Sequence, residues 1–273
     1  MLDCQEFRSA LGEIRLEQGV TYLTSGLALA VLWRLWSARL APIYKLLFFY
    51  LTADTVLTVG GLSIQPNTNW YAYYYIGAQT VKILIAAFVL VEIYSLSLAN
   101  TPALAQFVRN CVAYILAASA LFPGVALVLD RSPARYPLLR GFFLFEQTMG
   151  AIMAIFLVLL SIFLAYFPVR LRRNVFVYSS GFIVWAVTHS VAVFLVNHSP
   201  GDNRFRATVN LSQAFIQAGC LLFWLAGLQQ EGELRTAVVG HIWSRAEADR
   251  LTELLEAINS RLERLRRERN RID

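Results

Sequence analysis

Apolar residues gather into seven runs, at about 20–37, 42–63, 70–97, 107–129, 141–167, 174–197 and 208–229. Each is long enough to cross a hydrocarbon core about 30 Å thick. That feature removes most folds at once, because inside lipid the backbone must satisfy its own polar groups, as helices or as a closed barrel. Barrel strands would alternate apolar and polar residues over about ten positions; these runs do not. The chain therefore reads as an all-α polytopic membrane protein, a seven-transmembrane helix bundle followed by a cytoplasmic amphipathic or coiled-coil helix. Its 15% charged residues fit that reading, since a soluble domain carries about a quarter. The first run is the weakest, because Arg34 lies inside it and has to snorkel to an interface.

The pattern divides the chain into an extracytoplasmic N-terminal segment (1–19), the bundle (20–229), a linker (230–240) and the C-terminal helix (241–273). Residues 1–17 lack the basic start and apolar centre of a signal peptide. Phe7, Leu11 and Ile14 recur at helical spacing there, as in a helix lying on a membrane or a frayed polar end. Three cysteines make no disulfide framework. Loops are short, which leaves no room for a second folded domain between spans.

Basic residues set the orientation, since loops rich in Lys and Arg stay cytoplasmic. Seven (Arg8, Arg15, Arg131, Arg135, Arg140, Arg204, Arg206) fall on the side of the N-terminus and sixteen on the other, nine of them from Arg235 onward. The N-terminus is therefore expected outside and the C-terminus in the cytoplasm. The formal charge of +6 suits anionic lipid at the inner leaflet. No nucleic-acid motif accompanies it.

In the C-terminal helix Ala248, Leu251, Leu255, Ile258, Leu262 and Leu265 alternate spacings of three and four, the seam of a coiled coil. Leu251, Leu255, Ile258, Leu262 and Leu265 are the expected dimerisation residues, pairing two protomers in parallel. The same stripe also suits a helix lying on the inner leaflet, or docking onto a cytoplasmic protein partner.

Polar groups inside the runs are the informative minority. Lys82 stands near the middle of WYAYYYIGAQTVKILIAAFVLVEIY (70–94), where a charge costs about 2.5–3.5 kcal/mol on insertion scales. Asp54 lies at the same expected depth in the antiparallel neighbouring run, so the two are expected to pair. Tyr75, Gln79 and Lys82 form one stripe, as do Asn210, Gln213 and Gln217; Glu146 and His189 lie at outer-half depths in their runs. Together Asp54, Tyr75, Gln79, Lys82, Glu146, His189, Gln213 and Gln217 are the candidate ligand-binding residues of an outward-facing polar and aromatic pocket. The bland alternatives are a structural ion pair, amides acting as interhelical glue, and a hydrogen-bonded core histidine. At the cytoplasmic ends of the helices, Glu92 is expected either to pair with Arg170, Arg172 or Arg173 or to stand as a solvated interfacial carboxylate.

The chain has no Walker-type loop or G-x-G-x-x-G, no metal-ligand spacing among its three histidines, and no G-x-S-x-G elbow. Nothing in it argues for an enzyme, a metal or a cofactor. Rhodopsins carry their retinal lysine on the seventh helix; here TVNLSQAFIQAGCLLFWLAGL contains none. The segments VLVEIYSLSLANTPALAQFVR (89–109) and FPVRLRRNVFVYS (167–179) resemble stretches of bacterial seven-span proteins. That resemblance implies a bacterial inner membrane and no particular activity.

These readings favour a receptor-like or sensory membrane protein whose cytoplasmic helix dimerises or signals to a partner. A membrane scaffold that organises lipid, and a small-solute or proton-coupled transporter, are the alternatives. Against the transporter stand the missing internal repeat and the scarcity of helix breaks in paired spans.

Overall fold

A computed structural model describes residues 4–64, 69–99, 137–166, 169–198, 203–239 and 245–272, with isolated positions between 106 and 118. Among the described residues the long helices are α1 (Cys4–Ser37), α2 (Lys45–Leu62), α3 (Asn69–Ser97), α4 (Pro137–Tyr166), α5 (Arg173–His198), α6 (Asn203–Gly227) and α7 (Arg245–Ile272). The strands β1 (Val169–Arg172) and β2 (Thr236–Val239) form one small antiparallel sheet. The expected span at 107–129 lies outside the described residues except for isolated positions. Helices α2 to α6 are each long and apolar enough to cross a membrane. By length and composition this is an integral membrane protein, nearly all helical among the described residues.

Helices α1 to α6 pack in chain order, and α1 closes the set by packing on α6; α3 also touches α5. Large side chains such as Leu51, Leu90, Met149, Leu157 and Phe182 are buried among these helices, whereas Trp33, Val56, Phe88 and Ile155 are exposed. Exposed apolar residues on this scale suit a lipid-facing surface, where a soluble bundle would place charges.

The turn from α1 to α2 shows how local sequence sets an end. Leu40 N–H donates to the Leu35 carbonyl (2.9 Å) while Arg39 adopts a left-handed backbone, φ 55°. That is the Schellman geometry usually given to glycine, and Pro42 follows at the position where a helix cannot continue. Next, α2 starts without a side-chain cap of its own. Its cap comes from α3: the Glu92 carboxylate accepts from Leu46 N–H (3.1 Å) and from the Tyr178 hydroxyl (3.0 Å). A carboxylate at a helix N-terminus satisfies orphan donors and matches the helix dipole. Among the described side chains Glu92 makes no pair with Arg172 or Arg173, while the side chain of Arg170 falls outside the described residues. The start of α2 takes one of its oxygens and Tyr178 the other.

Residues 230–239 of the segment expected as a linker form regular backbone. Gln230–Glu233 forms one 3-10 turn, and β2 then pairs with β1 in the register Val169↔Val239 to Arg172↔Thr236. Arg173 N–H extends the pairing by donating to the Arg235 carbonyl (2.9 Å). The β-branched residues of TAVV suit such a pairing. Gly232 is required in the turn, because a Cβ there would stand 2.1 Å from Asn174 Oδ1.

Within α7, Leu255 is only 9% exposed in the single chain, whereas Ile258 is 38% exposed. The side chains of Leu262 and Leu265, like that of Trp243, fall outside the described residues.

Candidate functional site

Helix periodicity brings the polar groups together. On α2, Tyr50, Asp54 and Thr58 recur every four residues and share a face; on α3, Tyr75, Gln79 and Lys82, four and three residues apart, also share one. Neighbouring α2 and α3 place Lys82 Nζ 2.7 Å from Asp54 Oδ1, with both side chains under one-fifth exposed. The ammonium also donates to Thr58 Oγ1 (3.3 Å). The other Asp54 oxygen, Oδ2, accepts a long hydrogen bond from Gln217 Nε2 on α6 (3.4 Å). The mid-bundle lysine thus meets a carboxylate that cancels its charge, as its depth in the sequence led one to expect.

A cavity of about 100 Å³ surrounds this pair, lined also by Gln79, Glu146, Gly150, Trp185 and His189. Glu146 is 6% exposed, and its Oε1 lies 3.7 Å from His189 Nε2. The imidazole stacks on Trp185, ring centroids 5.3 Å apart and planes 4° from parallel. Glu146 and His189 together are neutral when they hold one proton between them, whichever of the two carries it, so the cavity as a whole need hold no net charge.

A second, larger space of about 410 Å³ opens beside the first, between α1, α2 and α3. Its walls are Leu57, Leu62, Ile64 and Ala78 with the rings of Tyr71, Tyr74 and Tyr75; Thr21, Thr58, Gln79 and Lys82 add polar groups. Gln79 and Lys82 line both spaces, so the larger one is a vestibule with Lys82 at its boundary with the inner cavity. The tyrosines are fixed walls: Tyr74 donates to the Leu57 carbonyl (2.6 Å), and Tyr75 meets Phe142 edge to face at 6.0 Å. Gly60 permits the first of these, because a Cβ there would stand 2.3 Å from the Tyr74 hydroxyl.

Of the eight expected ligand-binding residues, Asp54, Gln79, Lys82, Glu146, His189 and Gln217 line the inner cavity, and Tyr75 lines the vestibule. Gln213 lines neither. It sits one turn before Gln217 on α6, with a buried amide nitrogen that has no hydrogen-bond partner among the described residues. Thr58, Tyr50 and Trp185 were missed. Their signal was present, as each lies four residues from Asp54 or His189, but hydroxyl and aromatic residues are common in membrane helices and drew no notice.

A second polar cluster closes the opposite end of α2. Glu233 accepts from the Tyr44 hydroxyl (2.6 Å), Asn174 Nδ2 (2.8 Å) and Arg172 (3.0 Å). Asn174 also donates to the Gln229 carbonyl (2.7 Å) and accepts from Gln229 N–H (3.2 Å). Burial, reinforced by the Glu233 carboxylate, holds the Tyr44 phenol well above its ordinary range, so it remains a donor. The Tyr44 ring in turn packs edge-on against Tyr178, which donates to Glu92. The segment 229–239 is thus bound to the bundle by side chains from β1, from α5 and from Tyr44, just before α2.

Among the described residues no cluster of histidine, cysteine and carboxylate side chains has the grouping to hold a metal. Comparison with family models, curated proteins and solved structures finds no match for this chain.

Proposed function

We propose that the protein is a receptor-like or sensory membrane protein, with a small molecule entering the tyrosine-lined vestibule and acting on the Asp54–Lys82 pair. The observation that carries this reading is the sharing of Lys82 and Gln79 by the vestibule and the inner cavity. A ligand reaching the vestibule floor competes directly for a charged hydrogen bond. The space of about 410 Å³ falls in the range of small-molecule pockets.

Helix α2 offers the route out of the site. Asp54 and Thr58 lie on it near the pocket; Tyr44, just before its first residue, holds Glu233 of the C-terminal segment. A ligand that favours one position of α2 over another shifts the protein by the difference in its affinities for the two. In this proposal the chain spans the membrane seven times, with the N-terminus outside and the C-terminal helix in the cytoplasm of a bacterial inner membrane. Helix α7 then passes the change to a second copy or to a protein partner, beside anionic lipid.

Hydrogen exchange tests the coupling. In the full chain in nanodiscs, the double variant Asp54→Asn/Lys82→Met should change amide protection across residues 229–239 while leaving the rest of the bundle protected. Unaltered protection there would remove α2 as the connection and the sensor reading with it.

The contact between Glu146 and His189 within the same cavity favours one further reading, a proton-coupled carrier. Proton uptake into liposomes that vanishes in Glu146→Gln would support the carrier in place of the sensor.

A further inference from the structure

The receptor reading leaves the ligand unspecified, and the inference here rests on that reading: we infer that the vestibule takes an uncharged molecule with an apolar body and a hydrogen-bond acceptor at one end. The head group follows from counting donors. An ammonium has three N–H groups; Lys82 gives one to Asp54 and one to Thr58, which leaves a third for an acceptor at the vestibule floor. Gln79, beside it on the same face and hydrogen-bonded to Tyr75, offers the remaining capacity of its amide.

Charge decides what kind of acceptor that is. Lys82 is already neutralised by Asp54 at 2.7 Å. A ligand carboxylate on the same ammonium would bring a second anion close to Asp54 and leave the site with a net negative charge at bilayer depth. A ligand ammonium would repel Lys82 and leave a net positive charge. A carbonyl, amide or hydroxyl head takes the third N–H without either cost. The tyrosines do not reverse this: a cation over a tyrosine face gains less than a second positive charge beside Lys82 costs at bilayer depth. With Leu57, Leu62 and Ala78 the tyrosines provide an apolar surface for the body.

Three probes with the same body separate the possibilities: 3-phenylpropanamide, 3-phenylpropanoate and 3-phenylpropylammonium. Their binding to the full chain in nanodiscs is followed by saturation-transfer NMR titration, for the native chain and for Lys82→Met and Gly61→Phe. Gly61 lines the vestibule away from the ion pair, so Gly61→Phe blocks the space while leaving Lys82 and Asp54 intact, and it remains informative if Lys82→Met does not fold. The amide should bind at least about tenfold tighter than either charged probe, and both variants should abolish that binding. If a charged probe equals or exceeds the amide and Gly61→Phe abolishes its binding, the inference on ligand class fails while the pocket reading stands. If no probe binds, or if Gly61→Phe leaves binding unchanged, the pocket reading fails together with it.

Discussion

Asp54 and Glu233 are both sheltered carboxylates that draw donors from neighbouring elements, yet they are finished differently. Glu233 is met at 2.6, 2.8 and 3.0 Å by a phenol, an amide and a guanidinium, and Asn174 beside it is used on both its nitrogen and its oxygen. Asp54 has one short contact, to Lys82, and one long one, to Gln217. Lys82 itself borders two open spaces. A polar network that closes on itself specifies a structure, whereas one with capacity to spare beside a cavity can bind something else. The end of the bundle fits the first description and its middle the second.

Three substitutions bear on that contrast. The largest effect is expected from Lys82→Met, which leaves Asp54 as an unpaired charge inside the bundle and should cost about 3–5 kcal/mol of stability. Adding Asp54→Asn should restore most of it, read as the unfolding midpoint in detergent. A double variant no better than the single one would show that the pair's worth is not mutual. Next comes Glu233→Ala, which orphans the Tyr44 hydroxyl and leaves Asn174 Nδ2 with the Gln229 carbonyl alone, and should cost about 1–3 kcal/mol. Hydrogen exchange should show residues 229–239 released first, and the head-group preference of the vestibule should persist. Loss of that preference would join the two regions more tightly than the contrast allows. The smallest effect is expected from Arg172→Ala. Its side chain is 57% exposed, so solvent screens the contact and the loss should stay below about 1 kcal/mol in the same unfolding measurement.

How far the sequence could be read depends on whether a signal is periodic. Asp54 and Lys82 were legible because depth along two antiparallel runs joined by a short connection is a count of residues, and the same reasoning placed Gln79 and Tyr75 on the Lys82 face. It carried Gln213 along with Gln217 by the same periodicity, but the cavity ends at Gln217, and no spacing says where a cavity stops. Glu92 was placed at the right end of the bundle, with an arginine of 170–173 or solvent as the alternatives for its carboxylate. Arginines nearby in depth looked like its counter-charges, whereas the uncapped N-terminus of α2 took up its carboxylate. Glu233 went unnoticed, because a polar loop between two glycines carries no pattern that points to Tyr44, 189 residues earlier.

By itself the sequence determined that this chain is helical and built for lipid. Long apolar runs leave the backbone no other way to satisfy its polar groups, and a lysine among them demands a counter-charge at the same depth. The tertiary structure alone decided that α1 closes on α6, that Lys82 borders a vestibule of about 410 Å³, and that residues 229–239 dock on the end of the bundle. Those outcomes depend on which helix faces meet and on how much space their side chains leave between them. Periodicity along one chain encodes the faces but not the fit.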